Sequence, residues 1–118
     1  MPRQDHISQV PLGSIGDYTA PNDADLNFTA GDVANEEQTK LTGKEMIVLN
    51  NNSGGVNTLT VISVPNQFGR TADINYTLQA GEHGMFGPFD LEGWRQADGN
   101  LYFNVSSSVV GIAVIKLP

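Results

Sequence analysis

Short apolar stretches that alternate with turn-forming clusters limit this chain more than anything else it contains. EMIVLN (45–50), TLTVISV (58–64), INYTL (74–78), LYFNV (101–105) and VVGIAVIKL (109–117) are each too short for a full helix and rich in β-branched or aromatic residues. Between them lie NNNSGG (50–55), PNQFGRTAD (65–73) and Asp98-Gly99-Asn100, sequences suited to tight turns. LYFNV places Leu101, Phe103 and Val105 on one face, and INYTL does the same with Ile74, Tyr76 and Leu78. DLNFTA (25–30) alternates in the same way, whereas the polar stretch 31–45 is read as holding at most a short helical turn around 33–39. The expectation is seven or eight short strands in an all-β fold, an antiparallel β-sandwich or compact barrel with jelly-roll or Greek-key connections.

Two segments break this rhythm. AGEHGMFGPF (80–89) is too interrupted for a helix and too apolar for an idle loop, which suits a strand bent at its glycines with Phe86 and Phe89 anchored on either side of Gly87-Pro88. In the last stretch Val110, Ile112 and Val114 line one face while Val109, Ala113, Ile115 and Leu117 line the other. A strand apolar on both faces is central, or its second face is covered by something else.

The chain has 118 residues, enough for one domain with a modest core. Residues 1–24 read as an extended N-terminal arm, broken by Pro2, Pro11, Gly13, Gly16 and Pro21 yet carrying Ile7, Val10, Leu12, Ile15 and Tyr18. Residues 25–118 form the β-sandwich domain in this reading. The first residues lack an apolar leader, so no secretory signal is expected, and no apolar run is long enough to span a bilayer.

Charge and chemistry narrow the function. Net charge is −7, with Asp5, Asp17, Asp23, Asp25, Asp32, Glu36 and Glu37 facing Arg3 alone in the first third. That sign opposes phosphate binding, so nucleic acid is not an expected partner. Cysteine is absent, which removes disulfides and thiolate chemistry. No GxSxG elbow accompanies His6 or His83. Asp23, Asp25 and Asn27 open like a calcium loop, but Phe28 and Ala34 stand where that loop needs Gly and Glu. The expectation is a non-enzymatic protein with no cofactor and no metal.

LTGKEMIVLNNNSGG, TLTVISVPNQFGRTADINYTLQAGEHGMFGPF and GWRQADGNLYFNVSSSVVGIAVIKLP, in this order and spacing, resemble a family of small proteins encoded among tailed-phage head genes and in prophages. The resemblance covers residues 25–118 and leaves the N-terminal arm unmatched. It implies a virion protein that decorates or cements the outer surface of a bacteriophage capsid, with the major capsid protein as partner, often as a homotrimer. A head-tail connector component or a fibre base would suit the same composition.

The arm itself suits a segment laid on its own domain or on a neighbour. In such a protein the outer face of 109–117 would join protomers, and Ile7, Val10, Leu12 and Ile15 of the arm would lie on a neighbouring subunit or on the capsid. Phe68, Arg70, Phe86 and Phe89 would meet a partner. Arg70 is open to two readings, a clamp on a partner's carboxylate or an intramolecular ion pair with Asp73. The alternative function is a carbohydrate-binding β-sandwich module displayed on a particle, with Trp94, Arg95 and Asp98 on the sugar.

Overall fold

The structure is a computed structural model that describes residues 2–11 and 25–117. Its strands are β1 (Gln4–His6), β2 (Thr29–Ala30), β3 (Glu37–Lys40), β4 (Glu45–Asn51), β5 (Asn57–Ile62), β6 (Ile74–Leu78), β7 (His83–Phe86), β8 (Asn100–Val105) and β9 (Val110–Lys116). They form two sheets, ordered β1-β3-β8-β5-β6 and β2-β9-β4-β7, and the protein is an all-β sandwich. All neighbours are antiparallel except β1 and β3. Odd-numbered strands consequently run one way and even-numbered strands the other. The segments after odd strands therefore gather at one end of the body: 7–11 with 25–28, 41–44, 63–73 and 87–99.

The core follows from the alternation in each strand. Leu59, Val61, Leu101, Phe103 and Val105 project inward from one sheet and meet Ile47, Leu49, Val110 and Ile112 from the other. Phe103 is the largest wholly buried side chain. Each such burial stabilises the fold by about 1.5–3 kcal/mol relative to exposure.

Two strands lie where the sequence reading placed none. β3 occupies 37–40, in the polar stretch read as holding at most a short helical turn around 33–39, because Glu37 and Thr39 point into the body and find polar partners there. β1 pairs in parallel with β3. A little further on, the Gln9 amide donates to the Val114 carbonyl (2.7 Å) and the Gln9 carbonyl accepts from the Lys116 amide (2.8 Å). The leading segment thus binds first one sheet and then the other, on its own body. Ile7 and Val10 still project into solvent, Ile7 at 86% exposure. Leu12, Ile15 and Tyr18 lie outside the described residues.

Strand β9 corrects a second expectation. It is central, flanked by β2 and β4, and Ala113 on its outer face is buried while Ile115 is half-buried. Val109, in the turn before it, is the exposed apolar residue of this stretch. The outer face of β9 is therefore not an open trimerisation surface.

The Thr42-Gly43-Lys44-Glu45 turn has a polar logic. Gly43 adopts a φ of 98°, which favours glycine, and the chain folds back so that the buried Glu45 carboxylate accepts from the Thr42 amide (2.7 Å), the Thr42 hydroxyl (2.9 Å) and the Lys44 amide (3.2 Å). Gly87 meets the same strand from the other side. At its φ of 108° an added Cβ would come within 3.0 Å of the Glu45 carbonyl.

Burial pushes the Glu45 carboxyl up, but the Thr42 and Lys44 donors outweigh it and hold the group below its ordinary 4.5. A carboxyl depressed in the folded state stabilises fully above its unfolded value and loses that contribution as pH falls through the folded one. Wild type should therefore lose stability more steeply than Glu45→Gln between about pH 5 and about pH 3, as read from urea midpoints at several pH values. Equal slopes would contradict this assignment.

Candidate docking surface

The loop 63–73 owes its shape to side chains that bind backbone. Asn66 Oδ1 accepts from the Phe68 amide (2.8 Å) and the Arg70 amide (3.1 Å), while the Asn66 amide donates to the Arg70 carbonyl (3.0 Å). At the loop's base, Asp73 Oδ1 accepts from the Ser63 amide (2.9 Å) and hydroxyl (3.0 Å). The loop is tied to the turn at 90–94 by the Gln67 amide on Glu92 Oε1 (3.0 Å) and the Val64 amide on the Gly93 carbonyl (2.7 Å).

Between loop and turn lies a cleft of about 500 Å³. Phe68 and Arg70 stand on one wall, Asp90, Glu92 and Trp94 on the other. Phe68 is 72% exposed although its backbone is pinned, so its ring is presented rather than packed. Arg70 is exposed too, and among the described residues it makes no ion pair. The intramolecular bridge to Asp73 is not formed; Asp73 instead accepts from Ser63 through Oδ1.

The remaining predicted contacts separate. Phe89 is only 4% exposed and belongs to the core, its ring edge-on to Trp94 at 5.4 Å, so it is not a partner-facing residue. Pro88 and Gly87 turn the chain inward there, a direction the sequence left open. Phe86 is half-buried and meets Tyr76 edge-on at 5.3 Å, which closes the far side of the sandwich. The stretch 80–89 is thus packed against both β4 and the rim of the opposite sheet.

Of the sugar-binding set, Trp94 lines the cleft but Arg95 and Asp98 do not. Asp98 instead accepts the Tyr102 hydroxyl and the Asn100 amide (3.0 Å). The Tyr102 hydrogen bond, helped by Asn100, holds the Asp98 carboxyl below its usual range against the opposing effect of burial, and that same bond raises the Tyr102 phenol.

Asn66, Asp90 and Glu92 were not singled out by the sequence reading. Asn66 carried a signal, an Asn two residues before Phe68 in a glycine-containing loop. The acids carried none, since only the fold brings 90–94 beside 63–73. No protein-family model, curated protein or solved structure matches the chain.

Proposed function

We propose that this protein is a non-enzymatic virion component that binds the outer surface of a bacteriophage capsid, against the major capsid protein, and stabilises the shell. The observation that carries the reading is exposed Phe68 near Arg70, which makes no ion pair among the described residues, on a hydrogen-bonded loop at one end of the body. An aromatic knob with a neighbouring guanidinium is the kind of pair that concentrates binding energy at a protein interface. Ile7, Val10, Leu26 and Leu91 add exposed apolar surface in segments at that same end. The resemblance of 25–118 to tailed-phage head proteins supports the capsid as partner. A ligand that binds only the assembled shell stabilises it by mass action, and repeated copies add to the effect.

Cosedimentation with undecorated capsids tests this. Wild type should saturate the particles, and Phe68→Ala with Arg70→Ala should bind at least about thirtyfold more weakly. Unchanged binding by the double variant would contradict the assignment.

Trp94 in the cleft, beside Asp90 and Glu92, favours a saccharide as the second reading. Glycan binding abolished by Asp90→Asn in a folded protein would support that alternative.

A further inference from the structure

We propose that β6 pairs edge-to-edge with β6 of a second copy, joining two five-stranded sheets across a twofold axis at Tyr76. β6 is the last strand of its sheet, and Asn75, Tyr76 and Thr77 are all exposed. Among the described residues, no backbone group of 75–77 bonds to anything other than β5.

Protected edges carry charges, prolines or very short strands. At the opposite side of the sandwich the edges are of that kind: β1 has three residues with Asp5 exposed, and β2 has two. β6 has five residues, Ile-Asn-Tyr-Thr-Leu, with neither charge nor proline.

The occupant follows from the register. Antiparallel pairing centred on Tyr76 sets Ile74 opposite Leu78 of the second copy, Asn75 opposite Thr77, and Tyr76 opposite itself. The exposed positions Asn75 and Thr77 are neutral and polar, half-buried Ile74 lies opposite the already buried Leu78, and no like charges meet, so the edge can pair with its own copy. Along the same side runs β7, where Met85 is 74% exposed and Phe86 meets the half-exposed Tyr76 edge-on, so apolar surface would accompany the seam. A twofold seam gives a dimer, in place of the trimer that the phage resemblance implies.

Native mass and a charge swap test the proposal. Wild type should have the mass of two chains at micromolar concentration. Asn75→Lys with Thr77→Lys sets lysines opposite lysines at both ends of the seam and should weaken association by at least about tenfold. Asn75→Glu with Thr77→Glu should do the same, and mixing the two variants should restore a mixed dimer. Both positions are exposed, so circular dichroism should show each variant folded as wild type. Amide exchange within 74–78 in wild type should also slow as concentration rises. A monomer or trimer at all concentrations, a dimer indifferent to either variant, or variants that do not pair when mixed would overturn the proposal.

Discussion

Asn51→Ala should cost about 3–5 kcal/mol of stability, a large part of what a domain of this size has. Asn51 is wholly buried at the end of β4, and the two hydrogens of its amide nitrogen are shared among the carbonyls of Gly55 (3.0 Å), Leu78 (3.1 Å) and Gln79 (2.9 Å). Its oxygen accepts from Asn57 Nδ2 (2.9 Å) and the Ser53 hydroxyl (2.8 Å). A single side chain therefore ties the turn after β4 to the start of β5 and the end of β6. Alanine would remove the buried donor to the Leu78 carbonyl and the link to Gln79, while the Gly55 carbonyl and Asn57 Nδ2 would keep only the Ser53 hydroxyl. The midpoint of urea unfolding should fall by about 2 M with an unchanged slope. Alanine at the exposed neighbour Asn52 should change stability by less than about 0.5 kcal/mol. A loss below about 1 kcal/mol at Asn51 would mean that the turn holds without it.

Glu37→Ala should be comparably damaging, and its effect should begin at the N-terminal segment. The buried Glu37 carboxylate accepts from Gln4 Nε2 (2.9 Å), contacts His6 Nε2 at 3.1 Å, and accepts from the Asp32 amide (2.8 Å). His6 is itself buried against the Phe103 ring, 5.6 Å between centroids, and its carbonyl accepts from the Thr39 hydroxyl (2.7 Å). Arg3 adds bonds to the Glu37 carbonyl (3.0 Å) and Asn104 Oδ1 (2.9 Å) while lying over the Tyr102 ring. Removing the carboxylate opens a cavity beside Phe103 and leaves buried His6 Nε2 and the half-buried Asp32 amide without their acceptor, an expected loss of about 3–5 kcal/mol. The thermal midpoint should drop by about 10–20 °C. Amide exchange in Gln4–His6 should accelerate before that of the β4 and β9 amides. Uniform acceleration across both sheets would show that β1 unfolds only with the whole.

Much of this sandwich was legible because the residues that build it are apolar and alternate. Leu101, Phe103 and Val105 announced β8, and the two-faced apolar pattern of 109–117 left open whether that strand is central or has its second face covered by another chain. β1 and β3 were not legible for the opposite reason. Their inward residues are His6, Glu37 and Thr39, which read as surface residues until each is seen to satisfy another. The candidate surface divided along similar lines. Phe68 and Arg70 stand where a glycine-containing loop would expose them. Phe89 sits in a similar loop context, yet the turn at Gly87 sends it inward. A ring's direction after such a turn depends on tertiary packing, here on Trp94, which local sequence does not encode.

The proposed function places the ends of the odd-numbered strands against a shell, because Ile7, Val10, Phe68 and Arg70 all lie in segments there. A density map of capsids saturated with this protein tests that orientation most directly. It should show the 63–73 loop and the 90–94 turn in contact with the capsid surface and the 52–56 and 79–82 turns facing outward. Density with the 52–56 and 79–82 turns against the shell, or particles that carry no copy at saturating concentration, would contradict the proposal.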